Sequence, residues 1–311
     1  MRFGIVGIGK HGSRYLRHLN SDIEDARIIS VSRRDKEEAE GGLKRNEIDA
    51  EVFTDYRDLC RSEVDSVTIA TPTGTHKDIA LEAIGNGKNV LVEKPLAGSV
   101  RDCQEIIDYA AENRVQLMVS QTLRYNPTVL EIKKLTEQMG GIRKINMQQH
   151  LEPPDRGWLY DPDLACGGVL LNTGVHIFDT IRFVTGEEII PRECTVRNIL
   201  NGKLEDLAFG YFDLGSGGSG GFSTSRYFEG RSRTIEVECP HGRIVADAMR
   251  EVITITKNGD QKAYYPSGER RTLIPLIRDF MESVENGIPP PITGEDGSRA
   301  VECSVIFRSL A

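Results

Sequence analysis

Several short constellations in this 311-residue chain combine residue types and spacings that could do chemistry. Gly7-Ile8-Gly9-Lys10-His11-Gly12 follows an apolar run and opens a helical pattern. In that context Gly7 permits a tight turn, Gly9 lets a pyrophosphate approach the backbone, and Gly12 lets helix and sheet pack closely, with the helix N-terminus facing the anion. Ser32-Arg33-Arg34-Asp35 lies about twenty residues further on, where dinucleotide-binding folds read the adenosine ribose. A hydroxyl followed by guanidinium groups suits a 2′-phosphate, because Arg donates paired charge-assisted hydrogen bonds. NADP is therefore the preferred cofactor, with Asp35 serving NAD as the alternative. Thr71-Pro72-Thr73-Gly74-Thr75-His76 and Glu93-Lys94-Pro95 end two further strand patterns, at the edge where open α/β sheets place ligands. Each has a plainer reading: Thr75 as a helix cap, His76 as a surface residue, Lys94 as an ordinary ion-pairing lysine. From Gly167-Gly168 onward, Asn172, His176 and Asp179 share one helical stripe, while Leu171, Val175, Phe178 and Ile181 form an apolar face. Alone, His176 reads as a structural histidine. Cys166 stands beside this motif with no base near it in sequence and reads as a packing residue.

The elements that must position these residues come in two grammars. Strand patterns at Arg2 to Gly7, Arg27 to Ser32, Val64 to Ala70, Asn89 to Glu93 and Val115 to Ser120, with a short one near Glu51 to Phe53, alternate with helical patterns at Gly9 to Leu19, Thr75 to Ile84 and Ser99 to Glu112. That alternation predicts an α/β Rossmann domain, a doubly wound parallel sheet, over residues 1–121. After Arg124-Tyr125-Asn126-Pro127 one helix leads into strand patterns at Ile142 to Leu151, Arg192 to Leu200, Asp206 to Leu214, Gly221 to Tyr227, Thr234 to Glu238 and Val252 to Lys257. A helix over Val169 to Val184 interrupts them, and helices at Leu273 to Asn286 and Gly297 to Leu310 follow. Residues 122–311 thus read as an α+β domain for substrate binding and oligomerisation, with a large, mostly antiparallel, open sheet arranged as a meander. The glycine-rich run from Gly215 to Gly221 reads as a hairpin loop.

Composition narrows the partners. Hydrophobic residues make up 39% and charged residues 28%, as in an ordinary folded enzyme. A net charge of −8 without a dense Lys/Arg run argues against nucleic acid and favours a small molecule. The six cysteines are scattered, with no paired spacing for a metal or redox site, so reduced thiols and no metal are expected. The start goes straight into a strand pattern, which reads as a cytoplasmic protein without a membrane partner.

Taken in order, Gly7-x-Gly9-x-x-Gly12, Thr71-Pro72-Thr73-x-Thr75-His76, Glu93-Lys94-Pro95, Arg124-Tyr125-Asn126-Pro127 and Gly167-Gly168 through His176 resemble the glucose-fructose oxidoreductase, inositol dehydrogenase and rhizopine-catabolism (Gfo/Idh/MocA) family over nearly the whole chain. The resemblance implies an NAD(P)-dependent oxidoreductase. Hydride would pass between the nicotinamide and a secondary alcohol of a sugar, cyclitol or nucleotide sugar, with Lys94 beside both nicotinamide and substrate as principal acid/base and His176 as its partner. It also implies a homodimer or homotetramer built through the C-terminal sheet. The expected cofactor-binding set is the glycine loop from Gly7 to Gly12, Ser32, Arg33, Arg34, Thr71, Pro72, Thr73, His76, Glu93, Lys94 and Gln121. The expected substrate set is Lys94, Arg124, Tyr125, Trp158, Asn172 and His176. Asn172 stands where many relatives carry Asp, and an amide cannot relay a proton, which leaves it as a positioner. Asn there is similar to relatives acting on nucleotide-linked amino-uronic sugars. Leu159 follows Trp158 where Arg is frequent. A non-catalytic NAD(P)-binding regulator and a redox-assisted glycosidase or eliminase are the competing classes.

Overall fold

The computed structural model describes residues 1–155, 157–200 and 203–311, and divides into two compact units. The first comprises Met1–Gln121 and Leu273–Ser298, the second Thr122–Thr272 and Arg299–Ala311. The sequence places everything after residue 121 in the second domain, whereas Leu273–Ser298 clusters with the first. The physical reason is apolar: Phe280, fully buried, packs against Phe3 of the first strand with ring centroids 6.3 Å apart.

In the first unit, β1 (Arg2–Val6), α1 (Gly12–Ser21), β2 (Arg27–Ser32), α2 (Lys36–Arg45), β3 (Glu51–Phe53), α3 (Tyr56–Arg61), β4 (Ser66–Ile69), α4 (His76–Gly85), β5 (Asn89–Glu93), α5 (Val100–Asn113) and β6 (Leu117–Ser120) alternate along the chain. All strand pairs are parallel, in the order β3-β2-β1-β4-β5-β6. Strand order reverses beside β1, which puts the mouth of the glycine loop at a topological switch point. Residues on both faces of these strands, such as Val67, Ile69, Val90, Leu91 and Val92, are fully buried, so the strands read as continuous apolar runs. Helices α2 and α3 escape the sequence reading because neither carries a full apolar stripe; α2 buries only Ala39, Gly42 and Leu43. Its start is set by Asp35, whose carboxylate accepts the Glu38 amide at 2.9 Å.

The second unit runs through α6 (Pro127–Gln138), β7 (Lys144–His150), α7 (Pro162–Ala165), α8 (Val175–Thr185), β8 (Ile189–Arg197), β9 (Leu207–Leu214), β10 (Ser219–Ser225), β11 (Ser232–Cys239), β12 (Gly242–Asp247), β13 (Val252–Lys257) and β14 (Asp260–Tyr264). Helix α9 (Leu273–Asn286) belongs to the first unit, and α10 (Gly294–Ser309) gives its first turn to the first unit and the rest to the second. The eight-stranded sheet has the order β14-β13-β12-β11-β7-β10-β9-β8. It is not the simple meander expected: β7 lies between β11 and β10 and pairs parallel with β10. The chain leaves β7 for α7 and α8 before the later strands form, and β10 and β11 then close on either side of it. Strands β12 and β14 were not expected; β14 is polar and exposed along most of its length, so no alternation marks it.

The glycine-rich run divides between loop and strand. Gly217, at φ +91°, turns the hairpin, while Gly220 and Gly221 lie inside β10. A Cβ on Gly220 would sit 2.3 Å from the ring of Phe212, and one on Gly210 would sit 2.8 Å from the ring of Phe222. Each phenylalanine therefore lies across a cross-strand glycine, a pairing that restores the packing a bare strand lacks. On the core side Phe222 meets Phe178 edge-on at 5.1 Å, and Phe178 stacks on Phe307 of α10 at 5.1 Å. Helix α8 is buried almost all round, and the stretch Pro162–Thr185 is long and apolar enough to cross a membrane because it is a core segment: 83% of its most apolar 18 residues lie inside the protein.

Candidate functional site

In the first unit the glycine loop behaves as its spacing demands. Gly7 adopts φ +89°, and a side chain there would strike the Ala70 carbonyl at 2.8 Å. A Cβ on Gly12 would fall 1.9 Å from the Gly7 oxygen. Over Gly9 nothing lies within 4 Å, so the backbone of the loop is open where a pyrophosphate would approach. Lys10 is exposed, His11 half-buried, and Ile8 buried beneath the loop. The Gly7 amide is tied to the Ser32 carbonyl at 2.9 Å, which sets the loop against the end of β2.

At that end Ser32 is buried, and Arg33 lays its guanidinium along the loop, donating to the Ile8 carbonyl at 3.1 Å and to Glu38. Arg34 is exposed. Asp35, the alternative ribose acceptor, uses Oδ1 to cap α2.

The other motif residues of this unit form a frame. His76 is buried; its Nδ1 lies 2.9 Å from the Pro95 carbonyl and its Nε2 2.9 Å from the Thr71 carbonyl. It therefore ties the Thr71 loop to the Lys94-Pro95 turn, with a backbone carbonyl beside each ring nitrogen. Burial pushes its pKa below the usual histidine value, against the pull of those carbonyls. The Thr75 hydroxyl bonds Thr71 Oγ1 at 2.8 Å and the Pro72 carbonyl at 2.7 Å rather than capping α4. Thr73 is buried and Pro72 half-buried.

Lys94 is half-buried just past the end of β5 and is joined to Pro95 by a cis peptide bond. The neighbouring Glu93 carboxylate is turned inward: Tyr15 of α1 donates to it at 2.9 Å and sits 2.7 Å from the Ser120 hydroxyl on β6. Burial raises the pKa of Glu93, opposed by the charge of Lys94, and burial likewise raises that of Tyr15. Glu93 thus joins α1 to the sheet. Sequence gave no sign of Tyr15, which lies in the middle of an ordinary amphipathic helix. Gln121, just past β6, is 1% exposed, and its Oε1 has no hydrogen-bond partner. A buried orphan acceptor at the ligand edge suits an amide N–H such as that of a nicotinamide carboxamide. The open Gly9 and this oxygen together fit a dinucleotide.

In the second unit the motif residues are largely spent on holding the helix that carries His176. A single π-turn over Leu170–Gly174 leads into α8. The Asn172 amide nitrogen faces three carbonyls, those of Gly167 at 2.6 Å, Gly168 at 3.2 Å and Ala165 at 3.3 Å. Only an N–H donor suits that position, which is a physical reason for Asn here rather than an ionised Asp. Gly168 is obligatory, since a Cβ would lie 2.3 Å from the Glu205 carbonyl; its amide donates to Glu205 Oε1 at 3.1 Å. Arg124 grips the buried Asp179 of α8, with Nη2 at 2.6 Å and Nε at 3.0 Å. Asp179 therefore forms a buried ion pair with Arg124, which braces α8. His176, Tyr125 and Trp158 are half-buried. Cys166 caps α7 in the left-handed region at φ +59°, its thiol directed at the Asp163 carbonyl.

Comparison with known proteins agrees with this layout. Residues 1–121 match the description "Oxidoreductase family, NAD-binding Rossmann fold", and residues 129–245 match the C-terminal domain of the same GFO/IDH/MocA group. The chain is 27% identical to a myo-inositol 2-dehydrogenase of Thermotoga maritima, over 97% of this chain and 93% of that one. It is 25% identical to an NAD(+)-dependent scyllo-inositol 2-dehydrogenase of Bacillus subtilis, over 98% and 92%. In fold it is similar to a UDP-N-acetylglucosamine 3-dehydrogenase of Acidithiobacillus ferrooxidans, with a TM-score of 0.87 at 20% identity over 100% and 97% of the two chains. The chain belongs to the Gfo/Idh/MocA family of oxidoreductases, with an NAD(P)-binding Rossmann domain at its N-terminus.

Proposed function

We propose that this protein moves a hydride between a nicotinamide and a carbinol carbon of a sugar or cyclitol, interconverting secondary alcohol and ketone. The observation that carries the reading is the glycine loop, where Gly7 and Gly12 tolerate no side chain while the space over Gly9 stays open. Bound NAD(P) supplies the hydride acceptor or donor. The chain supplies grip and proton handling. Lys94, half-buried just past β5, takes the hydroxyl proton during oxidation and returns it during reduction. His176 orients the hydroxyl and shares the proton, Asn172 and the Arg124–Asp179 pair hold the helix that carries it, and Tyr125 and Trp158 line the sugar. Lys10 and His11 flank the pyrophosphate, and Gln121 accepts from the carboxamide.

For the cofactor we favour NADP. Ser32 ends β2 and Arg33 and Arg34 follow it with no acid among them, while Asp35 gives Oδ1 to the cap of α2. Calorimetry with both cofactors tests this: NADP should bind at least about tenfold tighter, the value of one charge-assisted contact. Tighter NAD binding overturns it. A panel of cyclitols and sugars, followed by the absorbance of reduced nicotinamide, tests the reaction, and single-turnover rates unchanged in both Lys94→Ala and His176→Ala would remove the assigned roles. For assembly we favour pairing through the open face of the eight-stranded sheet, where Ile190, Phe209 and Tyr211 are 40%, 40% and 59% exposed. Tyr211→Glu should shift the mass in solution toward the monomer.

A further inference from the structure

Arg226 follows β10 and is 5% exposed, yet among the described residues its guanidinium makes no hydrogen bond or ion pair. Its backbone continues the ladder, the amide donating to the Asp206 carbonyl at 2.9 Å. The charged and titratable groups around it are Asp206, Glu205 and Tyr160. None of them bonds its guanidinium. Glu205 gives Oε1 to the Gly168 amide at 3.1 Å and Oε2 to Arg308 at 3.0 Å. Asp206 Oδ2 accepts the Ile199 and Leu200 amides at 3.0 and 2.7 Å, and Tyr160 donates its hydroxyl to the Pro154 carbonyl at 3.2 Å. A guanidinium is a fork of N–H donors that stays charged, and one enclosed by protein with those donors unmet is poised for an acceptor from outside the chain.

Its location says which acceptor. Glu205, one of its neighbours, is the residue that holds Gly168 at the start of the helical segment bearing Asn172 and His176. Tyr160 ends the short turn that carries Trp158. Arg226 therefore belongs to the cluster of second-unit residues assigned above to the sugar. We propose that Arg226 is a specificity residue that receives an anionic group of the substrate, a carboxylate or a phosphate, so that this enzyme acts on acidic sugars in preference to neutral ones. Planar carboxylate and phosphate oxygens match the guanidinium fork in a way that sugar hydroxyls do not. The inference rests on the sugar-substrate reading of the preceding subsection.

The test is binding, which needs no turnover. D-Glucose, D-glucuronate and D-glucose 6-phosphate are titrated calorimetrically into wild type, Arg226→Gln and Arg231→Gln, the last removing an exposed charge that is paired with Glu152. At least one acidic sugar should bind wild type about tenfold to a hundredfold tighter than glucose, the range of a charge-assisted contact. The preference should vanish in Arg226→Gln and persist in Arg231→Gln. Which acidic sugar is preferred distinguishes carboxylate from phosphate. Equal binding of all three by wild type overturns the inference, as does a preference that survives in Arg226→Gln. Should that variant fail to fold, Arg226→Lys keeps the charge but loses the fork, and an undiminished preference there also overturns it. Arg226-dependent binding without cofactor reduction by any of these sugars would sink the hydride-transfer reading and leave this one standing; reduction by neutral sugars alone, indifferent to Arg226, would do the reverse.

Discussion

The glycine loop of the first unit and the Gly167–His176 segment of the second use glycine and polar residues in opposite ways. In the loop, Gly9 clears space outward, with nothing within 4 Å of it, and Gln121 past β6 keeps an acceptor unused. In the second segment the glycine clears space inward, letting Glu205 approach Gly168, and the Asn172 amide nitrogen is spent on the carbonyls of its own segment. A motif rich in glycine and polar residues can therefore be either a ligand cradle or the frame of one. What separates the two is whether the donors and acceptors are left over after the fold has used them.

The sharpest way to break this contrast is at the residues assigned to chemistry. Lys94→Ala should lower single-turnover hydride transfer by about 10²- to 10⁴-fold, the range for loss of a positioned acid/base, with melting temperature unchanged. A loss confined to substrate affinity would instead make Lys94 a binding residue. Next comes a pair of glycine substitutions. Gly12→Ala places a methyl 1.9 Å from the Gly7 oxygen and should cost about 1–3 kcal/mol of stability, as overpacking does. Gly9→Ala meets nothing, so it should melt like wild type while binding the cofactor more weakly. Equal effects of the two in thermal melts and calorimetry would erase the distinction between an open and a packed glycine.

In the second unit, Asn172→Asp should destabilise the protein by about 1–3 kcal/mol, the cost of a buried group without its partner. An ionised carboxylate would face the carbonyls of Ala165, Gly167 and Gly168, whereas a protonated one could still donate to one of them. The folded pKa of that Asp is thus raised above its unfolded value, and stability present at low pH is lost as pH rises through it. Urea melts of the variant across this range should show the deficit growing with pH. A deficit that shrinks would mean that Asn172 is not a donor to those carbonyls.

How much of this was legible beforehand follows the same contrast. The order of strands in the first unit, the glycine loop and the ends of β4 and β5 could be read because continuous apolar runs and positive-φ glycines are local signals. Helices α2 and α3 could not, since polar surface helices are specified by caps such as Asp35 more than by a stripe. The place of β7 in the middle of its sheet depends on pairings with β10 and β11, separated from it by scores of residues, and no local pattern announces that. Among site residues, sequence nominated His76, Glu93, Arg124 and Asn172 by type and position, but their partners, two carbonyls, Tyr15, Asp179 and a loop backbone, are tertiary facts. Arg226 carried no signal at all, because an arginine after a strand becomes unusual only when it proves to be buried without a bonding partner.

The smallest expected effect concerns two histidines, one in each unit. Burial lowers the pKa of His76 and of His150 below 6.5, the value each takes in an unfolded chain. As pH falls through 6.5 the unfolded chain takes up the proton first, so each histidine contributes stability that is present above 6.5 and lost on the way down to its folded value. Wild type should therefore have a lower urea midpoint at about pH 5.5 than at about pH 7.5, across the window in which histidine titrates. His76→Asn should flatten that dependence more than His150→Asn, because His76 is enclosed and held by two carbonyls, whereas His150 is half-buried and bonded only to Ser225 Oγ at 2.8 Å among the contacts of its ring nitrogens. The opposite ranking would place the tighter histidine in the second unit, and the tie between the Thr71 loop and the Lys94-Pro95 turn would have to be sought in some residue other than His76.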